Sequence, residues 1–226
     1  MLLVLLLISG CLDKEEDITG PVCLTGCTTI QGKLTTGTGS APLGSAILTL
    51  EWVNTRYLSG GTIRKKATAK TDADGNYQLA FQVRDDELGE GYFNVDIAVD
   101  TVQYMLCGKD NYSFTFFEMK RDTTIEVNSF IPRKAFLELR LSNPEQVKTS
   151  DYFASTVYSP VGVDGEQSCG KVETWRSDYS STRVVEVAAE QPVVIDTRKT
   201  KDGVQTVTMD TLLLSVGQRV VRTVEF

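Results

Sequence analysis

Some groups of side chains in this sequence have types and spacings that could do chemistry. Asp72, Asp74 and Asn76 stand at the 1-3-5 spacing of a calcium-binding loop. Tyr77, however, takes the sixth place, where such a loop needs glycine, and Val83 takes the twelfth, where it needs a bidentate glutamate. A hairpin turn accounts for the same residues more simply. In that reading the aspartates bond their own backbone, Gly75 accepts positive φ, and Tyr77 re-enters a core face. Asp85, Asp86, Glu87 and Glu90 could supply the paired carboxylates of glycoside hydrolysis, but acids clustered in a turn between strands are expected to be solvated. Trp175 and Tyr179, with Arg176 and Asp178, lie in a polar stretch. Their rings could contact a ligand by stacking on a sugar, or they could pack in a core or between domains, and packing is the expected role.

Composition narrows the chemistry further. The 226-residue chain contains no histidine, which excludes Ser-His-Asp and Cys-His nucleophile pairs and an HExxH zinc site. Its 23 Lys and Arg are outnumbered by 30 Asp and Glu, for a net charge of −7, so no positive field is available to hold nucleic acid. We expect a non-enzymatic protein with no cofactor, no catalytic residues and no metal.

The N-terminus carries an address. Leu2 to Ile8 is an unbroken apolar run closed by Ser9, Gly10 and Cys11. As a helix it spans about 10 Å, half or less of a bilayer core, and so it reads as a signal-peptide core. Leu7-Ile8-Ser9-Gly10-Cys11 resembles a bacterial lipobox, in which small residues admit a peptidase that cuts before a lipid-modified cysteine. The resemblance implies that residues 1–10 are removed and that Cys11 is the lipid attachment site and the protein's partner to the membrane. Two or three acyl chains on one cysteine would anchor it effectively permanently. No basic residues precede the leucines, which leaves open whether Met1 is the true start. Residues 11–27 are expected to form an acidic tether, with four acids among the six residues Leu12 to Asp17. That run is similar to an acidic export signal of some Gram-negative bacteria. It implies an outer-membrane lipoprotein facing the cell exterior, with a periplasm-facing anchor as the alternative. With Cys11 assigned to lipid, Cys23, Cys27, Cys107 and Cys169 remain for disulfides in an oxidising compartment, and three connectivities stay open.

The elements that position these residues are strands. Ala46, Leu48, Leu50 and Trp52 alternate with Ile47, Thr49, Glu51 and Val53, and Tyr77 to Val83 and Phe93 to Val99 repeat the pattern. Turn signals at Gly60-Gly61, Asp74-Gly75, Gly89 to Gly91 and Gly108 to Asn111 separate them. Ile125 and Val127 continue the alternation. After Pro132 it resumes with Ala135, Leu137, Leu139 and Leu141. Further strands are expected at 152–158, 171–176, 183–189, 193–200, 204–214 and 218–226, with hairpin turns at Asp164-Gly165 and Asp202-Gly203. The fold class is therefore all-β, with two consecutive antiparallel β-sandwich domains at 28–132 and 133–226.

Three segments of the first domain form an ordered set: Gln31-Gly32-Lys33-Leu34, Pro42-Leu43-Gly44-Ser45-Ala46-Ile47-Leu48, and Thr71-Asp72-Ala73-Asp74-Gly75-Asn76-Tyr77. Together they resemble the carboxypeptidase regulatory-like domain, a transthyretin-like sandwich. Leu34 stands where the family pattern has valine, and Ser45 where it has glycine. The resemblance covers roughly residues 28–105 and implies a scaffold or adhesion-like spacer without peptidase activity. The second domain is expected to be immunoglobulin-like or transthyretin-like.

Arg64-Lys65-Lys66 reads as an exposed edge guarding against aggregation. Asp100-Thr101-Val102, Asp122-Thr123-Thr124 and Asp210-Thr211-Leu212 are similar to a short O-glycosylation signal. The expectation is a binding or adhesion-like scaffold at the cell surface with a glycan or protein partner. The alternatives are an accessory glycan-binding lipoprotein of an uptake system, with Trp175 and Tyr179 as contacts, or a fimbria-related subunit or anchor.

Overall fold

A computed structural model describes residues 12–16, 23, 25–56, 60–107, 112–176 and 180–226. The signal segment, Cys11 and Tyr179 lie outside the described residues. The first ten strands are β1 Leu12–Glu16, β2 Thr28–Thr36, β3 Ala41–Pro42, β4 Ile47–Arg56, β5 Gly60–Lys70, β6 Asn76–Phe81, β7 Tyr92–Ala98, β8 Tyr112–Phe116, β9 Thr124–Glu126 and β10 Ser129–Phe130. They are followed by β11 Lys134–Ser142, β12 Tyr152–Val161, β13 Gln167–Thr174, β14 Thr182–Ala188, β15 Pro192–Lys201, β16 Val204–Leu213 and β17 Arg219–Glu225. The fold is all-β, and among the described residues the helical turns are short 3₁₀ segments such as Asp85–Glu87.

The chain clusters into two compact units. One is Met1–Lys33, Gly44–Val99 and Asn111–Val127, and the other is Leu34–Leu43, Asp100–Asp110 and Asn128–Phe226.

In the first unit, β1-β5-β4-β7-β8 form one sheet, and β6 and β9 flank the first part of β2 in another. The alternating apolar rows supply the core: Leu48, Leu50 and Trp52 from β4, Tyr77, Leu79 and Phe81 from β6, and Phe93, Val95 and Ile97 from β7 are all buried. Phe81 and Phe93 bring the two sheets into ring contact at 5.6 Å. Leu12–Glu16, expected as part of a solvated tether, instead pairs in parallel with Gly61–Lys65 of β5. Its paired backbone and the Glu15–Arg64 ion pair at 2.7 Å offset the ordering cost.

The motif residues have local reasons. Gly32 and Tyr77 are register partners across β2 and β6. A Cβ on Gly32 would lie 1.9 Å from the Val127 carbonyl oxygen, to which the Tyr77 hydroxyl donates at 2.7 Å. Asp72 holds the turn: its Oδ1 accepts the N–H groups of Asp74 and Asn76 at 2.9 and 2.8 Å, and its Oδ2 accepts the Asn76 amide at 3.2 Å. These bonds, that of the Asn76 backbone foremost, hold the Asp72 carboxyl below the usual carboxylate range. Ser45 sits at φ +67°, a left-handed conformation that costs a non-glycine residue about 1 kcal/mol. Ser45→Gly is therefore expected to stabilise the first unit by about 0.5–1 kcal/mol in urea unfolding, and a loss of stability would contradict this account.

In the second unit, β14-β11-β17 face β13-β12-β15-β16. The core between them includes Leu137, Leu139, Phe153, Val157, Trp175, Val187, Val193 and Ile195. Asp202 and Gly203, at φ +50° and +82°, close the β15–β16 hairpin between the paired Lys201 and Val204. Positive φ at both positions is the requirement of a type I′ turn.

Candidate functional site

Along β12 and β15 the inward row is buried and mostly apolar, with Ser155, Ser159 and Thr197 among it, and the outward row is mixed. Register partners Thr156 and Asp196, Tyr158 and Val194, and Ala154 and Arg198 lie on the outer face. β13 adds Val172 to that face, opposite Thr156. β16 adds Met209 opposite Asp196, and Val207 opposite Arg198. At its centre the Arg198 guanidinium donates from Nε and Nη2 to the Asp196 carboxylate, the shorter contact being 2.7 Å. That bond keeps Asp196 below the usual carboxylate range and raises Arg198. Around the pair, Tyr152, Val172, Val207, Met209 and Leu213 are exposed, Met209 at 66% and Leu213 at 73%. A mixed sheet face with exposed apolar side chains around a fixed ion pair is suited to binding a macromolecule by contact.

The two open sides of this sandwich differ. On one, Arg183 of β14 pairs with Glu173 of β13 at 3.3 Å. A cleft of about 370 Å³ opens there, lined by Met105, Val157, Ser159, Lys171 and Glu186 beside the Cys107–Cys169 disulfide. On the other, Arg222 of β17 lies 3.7 Å from Asp210 of β16 over a cleft lined by Thr197, Lys199, Thr206 and Thr208.

The sequence candidates are distributed as follows. Trp175, considered as a ligand contact, is 2% exposed and belongs to the core. Its ring lies 6.2 Å from that of Phe153, and its Nε1–H donates to Ser155 Oγ at 3.3 Å. Apolar surface of this size is more stable under the sheets than on a loop, so the ligand role is withdrawn for Trp175. Of the cysteine connectivities left open, the structure contains Cys23–Cys27 and Cys107–Cys169.

The acid cluster and the basic triplet prove to be one feature. Glu87, expected in solvent, is buried, and its Oε1 accepts from Arg64 Nη1 at 2.6 Å and from Lys66 Nζ at 2.9 Å. Arg64 and Lys66, expected on an exposed edge, are buried as well. Arg64 also packs 4.9 Å from the Trp52 ring centroid and reaches Asp86 and Glu15. Burial opposes the Arg64 charge, and the hydrogen bonds it donates to Glu87, Glu15 and Asp86 outweigh it, so its pKa is raised. Asp85 pairs with Arg121, and Glu90 accepts from Asn54 at 3.3 Å. The edge reading fails because β1 covers β5, and the solvated reading of Glu87 fails because two cations compensate its charge.

Sequence reasoning identified β16 as a strand and did not identify its exposure. The available signal was the run Gln205-Thr206-Val207-Thr208-Met209-Asp210, which offers no consistent apolar row.

No protein-family profile matches the chain, and no curated protein matches it by sequence. Among solved structures, the Bacillus anthracis TIE protein aligns with 88% of this chain at 13% identity and a TM-score of 0.34, and the alignment spans 34% of that protein. Shaft pilin SpaA from Lactobacillus rhamnosus GG aligns with 88% of this chain and 97% of its own at 8% identity and a TM-score of 0.32. A proposed cell adhesion protein from Bacteroides ovatus aligns over 88% and 91% at 10% identity and a TM-score of 0.29. This chain thus spans about a third of the TIE protein's length. At these scores the likenesses do not extend to function.

The carboxylates yield a pH prediction. Asp196, Glu138 and Asp202 of the second unit are held below the usual range, chiefly by hydrogen bonds from Arg198, Arg140 and Lys148 respectively. A depressed folded pKa contributes stability above the unfolded value near about 4 and loses it as pH falls through the folded value. The thermal midpoint of the second unit is expected to fall steadily below that pH. Asp196→Asn should make the fall shallower, and an unchanged slope would remove Asp196 from the account.

Proposed function

We propose that the chain is a non-enzymatic, lipid-anchored surface protein whose second unit presents the outer face of β13-β12-β15-β16 to a macromolecular partner. The observation that carries this reading is the exposed apolar row of Val172, Val207, Met209 and Leu213 around the Asp196–Arg198 pair. Exposed apolar side chains grouped on one sheet face are a feature of interaction sites. The anchor is Cys11, carried by the lipobox-like sequence, and the address is the outer membrane, carried by the acidic run that follows it. Acylation holds the chain at a surface, and the stiff sheet holds the face in one geometry, so a partner meets a pre-organised patch.

The test uses intact cells. Labelled palmitate is expected to enter the protein and to be lost in Cys11→Ser, which moves to the soluble fraction. A Met209→Cys variant is expected to react with a membrane-impermeant maleimide on intact cells. Labelling that appears only after the outer membrane is permeabilised would place the face in the periplasm.

A further inference from the structure

β16 presents a long free edge. β16 is ten residues long and pairs on one side with β15, and among the described residues nothing pairs with its other side. Nine of its ten residues are exposed, with Leu212 the exception. In this antiparallel register the backbone groups of Gln205, Val207, Met209, Thr211 and Leu213 point away from β15, and their side chains share the outer face. Natural edges are usually blunted by lysine, proline, a bulge or an inward charge. From Val204 to Leu213 there is no Lys, Arg or Pro, and the one charge is the inward Asp210, whose Oδ1 accepts the Thr211 N–H at 2.9 Å and whose Oδ2 lies 3.7 Å from Arg222. Val and Thr make up five of its ten residues, a composition that favours strand pairing.

We propose that β16 pairs antiparallel with β16 of a second copy of this chain, joining two four-stranded sheets into one eight-stranded sheet across a two-fold axis. The charge pattern selects a second copy. In a self-pairing centred on Thr208, Val207 meets the partner's Met209, and Asp210 meets the partner's Thr206 on the inner side. No like charges stand opposite each other, and the outward methyl and thioether groups form one apolar cluster. A closed two-fold contact uses both edges and leaves none to propagate. The pairing goes beyond the function proposed above: it uses the backbone edge of β16, leaves the outer face open across both copies, and does not need the lipid on Cys11.

The test uses the full chain, solubilised with micelles in large excess so that two copies do not share one by chance. Sedimentation velocity is expected to show a species of twice the monomer mass that dissociates on dilution. Thr208→Cys is expected to form an intermolecular disulfide under mild oxidation, whereas Val221→Cys, exposed on the other sheet, stays uncrosslinked. Met209→Lys places a cation on an exposed position without touching the core, and it is expected to weaken the dimer at least tenfold, while Val221→Lys leaves it unchanged. A monomer at every concentration, equal crosslinking of both cysteine variants, or a dimer indifferent to Met209→Lys would each overturn the proposal. Palmitate labelling reports separately on the anchor, so its failure leaves the pairing standing.

Discussion

Replacing Glu87 by alanine is expected to cost the first unit about 3–5 kcal/mol, because it removes the carboxylate shared by two buried cations. Glu87 Oε1 stands 2.6 Å from Arg64 and 2.9 Å from Lys66, and its Oε2 accepts the Arg84 N–H at 2.9 Å. Arg64 keeps Glu15 and Asp86, both exposed, and these compensate a buried guanidinium less well. The charge of Lys66 then lies under the sheet without the Glu87 carboxylate. Replacing Lys66 and Glu87 together by methionine is expected to restore most of the loss, since a buried ion pair and a packed apolar pair are often of similar stability. The two tryptophans, Trp52 and Trp175, fall in different units. In a Trp175→Phe background the remaining fluorescence reports Trp52, which lies under Arg64, and its urea midpoint is the measurement. An unchanged midpoint in Glu87→Ala would show that the pair contributes nothing net.

Trp175→Ala is expected to cost the second unit about 3–5 kcal/mol through the cavity it leaves. The ring packs on Phe153, and its N–H bonds Ser155 Oγ, which in turn lies 3.0 Å from Thr197 Oγ1. Trp175→Phe keeps much of the volume and drops only that bond, so it should cost roughly a third as much. Circular dichroism in urea separates the two variants. A small effect from alanine would return Trp175 to the surface and reopen it as a ligand contact.

Glu87 marks where sequence reading ended, whereas packing was already the expected role of Trp175. The alternating rows at Leu48, Leu50 and Trp52, at Tyr77 to Val83, and at Leu137 to Leu141 announced strands, because a period of two has no other economical explanation in a folded chain. The Asp72 turn and the Asp202-Gly203 hairpin were equally legible, since each depends on backbone conformations that few residues accept. Even the departure at Ser45 had a physical meaning, for the position where the resembling pattern has glycine lies at positive φ.

What lay beyond the sequence was which charged residue sits under a sheet and which apolar residue sits on one. Local pattern assigned Arg64, Lys66 and Glu87 to solvent because isolated charges belong there. Only a contact spanning more than 20 positions in sequence makes their burial tolerable. The same holds in reverse for Val207 and Met209. Their types suit a core, and they are exposed because they stand on the outer face of their sheet, away from the core. From sequence alone came the all-β architecture and its turns, since each is encoded in neighbouring residues. Tertiary structure decided the disulfide pairs, the buried cluster and the exposed face, since each depends on which distant segments meet.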